Sequence, residues 1–384
     1  MSKRITTTII TTVYPDPYFI ERGAFVEQMV REWGEMEMKV NVVAPRSWAN
    51  RLRGGWKARR KISEIAGSQV SYPSYFSLSN KKIAGVDLEK VTRNRFMKSV
   101  ASELMKQTVP DLFYGKFLMR GGAAALMAGK TFNRPAVADI GENFVELSQY
   151  SHHEKTNVIS QLDGIVTVSQ ELADEMARLG INPEKILVAH NSVNTERFYP
   201  MNRLECRRKL SLPEDLPLVI FVGYFTENKG PRRVVEAVSL LGDLGVKALF
   251  AGRGHQQPGG EDVLHAAPVR PDELPYWLNA ADLFVLPTLF EGDCNAIHEA
   301  MACGLPIVSS DIPEVRSQVP EHCGILTDPN SSDQLADAIR TLLTDDLKRS
   351  EMGKGAAQLE EERSRISRSK KISDWISHSI LENR

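Results

Sequence analysis

Pro287-Thr-Leu-Phe-Glu-Gly-Asp-Cys-Asn-Ala-Ile-His-Glu-Ala-Met-Ala-Cys-Gly-Leu-Pro-Ile-Val308 is the stretch that decides how this chain is read. Its carboxylates Glu291 and Glu299 stand eight positions apart. Four apolar residues at 283–286 precede it and predict a strand. Helical spacing then runs to Cys303 and stops at Gly304, as expected of a helix C-terminus. A strand–loop–helix unit of this kind presents backbone N–H groups at the helix N-terminus, where they favour an anion. A carboxylate further along the helix can accept hydrogen bonds from a vicinal diol. A helix glutamate by itself usually faces solvent. Glu299 differs, because a Gly-containing loop precedes it and a run of small and apolar residues follows, predicting close packing on a sheet.

Outward from that stretch the pattern alternates strand and helix, which predicts parallel sheets in α/β layers. In the second half, strands are expected at 218–223, 247–252, 283–286, 307–309 and 324–326. Helices are expected at 232–241, 272–280, 296–303 and 331–343, the last capped by Ser331 or Ser332. In the first half, strands are expected at 5–13, 39–44, 70–73, 111–114, 135–140, 163–169 and 185–190. Helices are expected at 21–33, 88–106, 120–130 and 170–179. A length of 384 residues suits two domains. The simplest division is 1–190 and 191–365, two Rossmann-like doubly wound parallel-sheet domains facing across a cleft, with sites at the carboxyl ends of their strands.

Composition narrows the class. Hydrophobic residues make up 42% and charged residues 25%, an ordinary globular balance. No apolar run reaches the roughly 18–20 residues needed to span a bilayer. The start, Met1 to Ile10, has basic residues but no long apolar core or cleavage site, so it reads as a first strand and not a signal peptide. Cys206, Cys294, Cys303 and Cys323 form no Cys-x-x-Cys pair, and a reduced cytoplasm is expected. The net charge is −1, which argues against nucleic acid. The halves differ, however. Residues 1–190 carry 26 Lys and Arg against 20 Asp and Glu, and the remainder is acidic, so different partners are expected for each.

The 287–308 stretch resembles the Glu-x7-Glu motif of the GT-B glycosyltransferases, in particular the retaining family 4, also called glycosyltransferase group 1. The resemblance implies a nucleotide-sugar donor. By it, Glu299 holds the donor ribose and Glu291 faces the donor sugar. Backbone N–H groups near Asp293, Cys294 and Asn295 meet the sugar and phosphates. Gly223-Tyr224 and Lys229-Gly230 resemble the family's Gly-Arg and Lys-Gly pair, with Tyr224 where arginine is usual. A Lys ammonium suits a diphosphate, and Arg253 could supply the second cation. Gly252 with Gly254 lacks the third glycine of a dinucleotide fingerprint, Gln257 standing there, so hydride transfer is disfavoured. Gly252 still allows close backbone approach to a ligand. Val269 and Arg270 resemble the strand end that binds the nucleobase.

In the first half, Gly23 sits in a strand-to-helix turn that resembles the family's first loop, near the diphosphate and acceptor. Asp139 and Glu142 follow a strand where many members carry a histidine, and one of them would orient the acceptor hydroxyl. A terminal helix at 366–384 is expected, by resemblance, to return to the N-terminal domain. Residues 46–61 hold seven basic side chains in sixteen and no acidic one, with Trp48 and Trp56 interleaved. A solvated loop and a contact with an anionic membrane surface both fit.

These readings converge on a retaining hexosyltransferase that moves a sugar from a nucleoside-diphosphate donor, UDP favoured and GDP-mannose open, to a carbohydrate or lipid-linked acceptor. Bacterial cell-surface polysaccharide or glycolipid synthesis fits, in the cytoplasm or on the inner face of the plasma membrane. No Asp-x-Asp occurs, and neither metal nor other cofactor is expected. A two-domain NAD-dependent oxidoreductase and a non-catalytic sugar-nucleotide-binding protein are the alternatives.

Overall fold

The computed structural model describes residues 4–15, 23–48, 63–65, 68–78, 82–83, 86–142, 147–364 and 366–382. The chain divides into two compact units, Met1–Ala189 with Ser369–Arg384, and His190–Arg368.

In the first unit an eight-stranded sheet is built among the described residues. Its spatial order is Ile186–Val188, Gly164–Thr167, Ala136–Ile140, Leu112–Lys116, Thr6–Ile10, Lys39–Val43 and Ser68–Ser71, all parallel, with Ser63–Ile65 antiparallel at the edge. The central strands Gly164–Thr167, Ala136–Ile140 and Leu112–Lys116 are buried throughout, as parallel strands covered on both faces must be. Chain order reverses at Thr6–Ile10, which pairs with both Lys39–Val43 and Leu112–Lys116. The C-terminal segment belongs to this unit. Ile372, Ile376 and Ile380 enter the core around Val26 and Trp33, and the Trp33 indole N–H donates to the Ser369 carbonyl at 2.9 Å.

The second unit carries a six-stranded parallel sheet. Across the sheet run Val263–Ala267, Lys247–Gly254, Leu218–Phe225, Leu283–Leu286, Ile307–Ser310 and Gly324–Thr327. Numbered by chain order within the unit, that is 3-2-1-4-5-6, the doubly wound dinucleotide-fold order. The switch point lies between Leu218–Phe225 and Leu283–Leu286. Ligands bind such sheets outside the carboxyl ends of the strands flanking that point.

Several elements differ from expectation. Val263–Ala267 is an edge strand that the Gly- and Pro-rich run before it disguised as loop. Helices Arg203–Lys209 and Pro313–Gln318 are short, too short for periodicity to declare them. The helix expected at 120–130 begins as a wider π-type turn, Phe117–Gly122, before Ala123–Phe132. Phe117 itself sits at φ 68°, a strained position for a bulky residue. The terminal helix expected at 366–384 runs Arg368–Trp375 and continues as a π-type turn, Ile376–Leu381.

The opposite, amino-terminal edge of the second sheet is tied by a buried ion pair. Arg207 lies on Arg203–Lys209 and Asp282 just before Leu283–Leu286; both are buried and 2.8 Å apart. Arg207 also donates to the carbonyls of Ala280, Glu214 and Leu216, and Asp282 accepts the Leu218 N–H at 2.8 Å. One pair thus sets the start of both strands that flank the switch point. Arg203 also pairs with Asp282, so Arg207→Met removes the buried partner but not the more exposed one, and it strands the carbonyls that Arg207 serves. It should cost about 3 kcal/mol of stability, the low end for breaking a buried pair, read as a lowered denaturation midpoint.

Candidate functional site

Two loops leave the switch point of the second unit. One follows Leu218–Phe225 and the other follows Leu283–Leu286. Asn228 joins them. Its carboxamide donates to the Phe290 carbonyl and accepts the Phe290 N–H, each at 3.1 Å. Its own carbonyl accepts the Leu289 N–H at 2.8 Å. Arg233, on helix Pro231–Ser239, braces the same junction from beneath. It donates to the carbonyls of Glu227, Asn228 and Pro287 and to the Glu227 carboxylate. Gly230 is left-handed at φ 70°, and the Arg233 guanidinium lies where its Cβ would be. Glycine is required there twice over. The outcome is that Lys229 and Glu291 meet in an ion pair, with Glu291 buried and Lys229 half-buried.

Glu299 lies on helix Asn295–Ala302, partly buried, and no described residue hydrogen-bonds its carboxyl. Burial pushes its pKa up to about 7, against the opposing pull of Arg197 and His298. A carboxyl left without donors in a sheltered position can accept a pair of hydroxyls. Asn295 is exposed at the first turn of this helix.

Two of the neighbouring residues have polar groups engaged within the fold. The Asp293 carboxylate is buried; it accepts the Asn191 N–H at 2.5 Å and pairs with His298 at 2.7 Å. The Cys294 N–H is taken by the Gln318 side chain at 3.0 Å, so it is not offered to a phosphate in this structure. Burial pushes the Cys294 thiol up to about 12, with the Glu291 carboxylate adding to the shift.

Tyr224 and Arg253 are register partners on adjacent strands, both exposed at the carboxyl end, Tyr224 at 61%. The arginine expected at 224 thus has a counterpart one strand away. Gly252 is in register with Gly223, and a Cβ at Gly252 would lie 1.9 Å from the Gly223 carbonyl oxygen. That clash is a sufficient reason for glycine at 252 without any ligand. Val269 is half-buried, while Arg270 is exposed and closes on Asp272 at 3.0–3.1 Å.

In the first unit, Gly23 is left-handed at φ 76°, and its Cβ would strike the Val13 carbonyl at 2.8 Å. It starts helix Ala24–Glu35 beyond the strand Thr6–Ile10 where chain order reverses. Asp139 is fully buried, accepting from the Tyr114 hydroxyl at 2.6 Å and from Lys116 at 2.8 Å. Glu142 accepts the Leu118 N–H at 2.6 Å. Both carboxylates hold the carboxyl ends of Leu112–Lys116 and Ala136–Ile140 in place. Of the basic stretch at 46–61, residues 49–61 lie outside those described.

Asn228, Arg233 and His298 were not singled out from the sequence. His298 had a readable signal. It falls in phase with buried Cys294, Ile297 and Met301, a polar residue inside an apolar helical stripe. Arg233 had none, since an arginine in the first turn of a helix reads as solvated.

The family profile described as Glycosyltransferase Family 4 matches residues 23–197, and that described as Glycosyl transferases group 1 matches residues 202–359. A relative in Bacillus subtilis (strain 168), TuaC, provisionally named a teichuronic acid biosynthesis glycosyltransferase, is 27% identical over 350 residues, 86% of this chain and 87% of its own. A D-inositol 3-phosphate glycosyltransferase of Streptomyces bingchenggensis is 30% identical over 258 residues, 61% of this chain but 54% of its own. The solved sucrose-phosphate synthase of Thermosynechococcus elongatus superimposes with a TM-score of 0.81 at 17% identity, over 99% of this chain and 100% of that one. Anabaena HepE, solved with UDP and glucose, gives 0.72 at 16% identity, over 98% and 100%. With both halves matched and the sheets and loops arranged as above, the chain belongs to the family 4, group 1 glycosyltransferases of the GT-B fold and is a glycosyltransferase.

Proposed function

We propose that the second unit binds a nucleoside-diphosphate sugar at its switch point and that the enzyme transfers the sugar with retention of anomeric configuration. The observation that carries this is the Lys229–Glu291 pair held at the carboxyl end of the sheet, with Glu299 unbonded on the following helix. In this reading the donor diphosphate takes Lys229, and Arg253 supplies the second cation. The Asn295–Ala302 helix N-terminus adds its dipole. Glu291, released from Lys229, faces the sugar, and Glu299 accepts the ribose hydroxyls. The bond from the anomeric carbon to the diphosphate breaks as the acceptor oxygen attacks from the same face. The departing diphosphate takes the acceptor proton. Fixed positive charge aimed at the leaving group lowers the barrier.

Uracil is the favoured base, and the HepE complex with UDP, in the same fold, supports it. Acceptor choice is assigned to residues 1–190, with Gly23, Asp139 and Glu142 shaping that side through backbone position. Trp48, exposed at the start of the basic stretch, favours a membrane-surface contact and hence a lipid-linked or cell-surface polysaccharide acceptor. No helix among the described residues is long and apolar enough to cross a membrane.

UDP, GDP, ADP and NAD, each at millimolar concentration, test the donor reading through the melting temperature, because a ligand of the folded state must raise it. UDP should raise it in the parent and not in Glu299→Ala; a response to NAD alone, or to none of the four, contradicts the reading. Transfer should persist in EDTA, since the diphosphate charge is met by side chains and a helix terminus; complete loss restored by Mn²⁺ would overturn the metal-free mechanism. The raised Glu299 pKa gives a further test. A carboxyl whose folded pKa lies above its unfolded value of 4.5 costs no stability below that pH and costs most above about 7. Glu299→Gln should therefore match the parent's melting temperature near pH 4.5 and exceed it at pH 8.

A further inference from the structure

The loop between the two glutamates is anchored from behind by a closed ring of polar contacts inside the second unit. The His298 Nε2 lies 2.7 Å from Asp293 Oδ1, and its Nδ1 lies 2.9 Å from Glu360 Oε1. Arg363 donates to that same Glu360 oxygen at 2.9 Å and to the Gln318 carbonyl at 2.9 Å. The Gln318 side chain accepts the Cys294 N–H, and Cys294 follows Asp293 in the chain. The ring therefore starts and ends on the donor loop. His298 is 2% exposed and Glu360 fully buried. Each imidazole nitrogen faces a carboxylate oxygen, and only a ring protonated at both positions can donate to both. Two carboxylates then balance His298 and Arg363, leaving the cluster neutral. A neutral imidazole would leave one excess buried negative charge and one lone pair against another.

We propose that His298, held as an imidazolium between Asp293 and Glu360, is the positioning residue of the donor loop. It touches no donor atom. Its bond to Glu360 holds the ring, and its bond to Asp293 fixes that carboxylate, and through it the Asn191 backbone and the turn from Glu291 to Asn295. The proposal rests on the donor reading above. Its direction agrees with the electrostatics. Burial opposes the charge, but Asp293 and then Glu360 outweigh it and push the His298 pKa up to about 10. The charged and titratable groups around the ring are Asp293 on the loop, Glu299 on its own helix, Glu360 and Arg363 on Asp346–Ser364, and His190 acting on Asp293.

Sign follows from that arrangement. The contribution of His298 is fully present below its ordinary value near 6.5 and is lost as pH rises through about 10. Removing one flanking carboxylate brings that loss to lower pH. Glu360→Gln keeps an acceptor beside Nδ1 but discards the charge. The test is UDP affinity as a function of pH in the parent and in Glu360→Gln. The variant should bind UDP about three- to thirtyfold more weakly at pH 8, and its alkaline loss of binding should begin at lower pH than the parent's. A merely structural role would lower the melting temperature and leave that limb unmoved.

Should the variant not fold, the parent decides the matter. With ¹⁵N-labelled histidine, His298 should show two protonated ring nitrogens at pH 8 and shift on UDP addition. A neutral ring at pH 8, or an imidazolium unmoved by UDP that does bind, overturns the proposal. A parent that binds no nucleoside diphosphate overturns the donor reading and this role with it. A parent that binds UDP while Glu360→Gln matches its affinity and limb overturns the positioning role alone.

Discussion

The reciprocal hydrogen bonds between the Asn228 carboxamide and the Phe290 backbone are the constraint on which the site depends. The strands before these loops are neighbours, but the 3-2-1-4-5-6 order sends their helices to opposite faces of the sheet. Loops at a switch point therefore diverge, and an opening forms unless something spans it. Asn228 spans it with one donor and one acceptor, and Arg233 fills the space beneath with donors to three carbonyls. Buried backbone groups that would otherwise lack partners are satisfied at the same time. Lys229 and Glu291 are carried along by their neighbours. Their ion pair follows from a backbone arrangement set by other residues.

A second layer of constraint lies behind the first. The ring through His298, Glu360, Arg363 and Gln318 turns Asp293 and the Cys294 N–H inward. Such a network is costly if incomplete, since a buried carboxylate lacking its partner is a destabilised charge. The same cost makes it a stiff support when complete. A catalytic group held by satisfied neighbours stays in place without paying for reorganisation during the reaction. The loop is thus fixed on one side by a neutral amide and on the other by balanced charges.

Much of this was legible in the sequence, for identifiable reasons. Strands such as Leu283–Leu286 and Ile307–Ser310 are short apolar runs bounded by turn residues, and parallel sheets leave few other places for them. The spacing of Glu291 and Glu299 across a strand–loop–helix unit located the candidate site. The orientation of individual groups was not legible. By resemblance, backbone N–H groups near Asp293 and Cys294 are expected to meet a donor; in the fold the Cys294 N–H goes to the Gln318 side chain and the Asp293 carboxylate to His298, partners that no local pattern indicates. Gly252 read as a ligand-approach glycine, whereas the Gly223 carbonyl across the strand already excludes a side chain there. Asp139 is singled out by resemblance, as a group following the strand where many members carry a histidine; its pairing with Lys116 across a strand register has no local signal. Local pattern reports elements, but partners across a sheet or between helices are settled by tertiary packing.

Amide hydrogen exchange with and without UDP tests the central claim most directly, because it asks where the nucleotide sits without presuming catalysis. The account predicts slowed exchange in the segments around Asn228–Gly230 and Phe290–Ile297, with little change at the opposite edge of that sheet around Arg207 and Asp282. Protection confined to other segments, or none at saturating UDP, would contradict a donor site at the switch point.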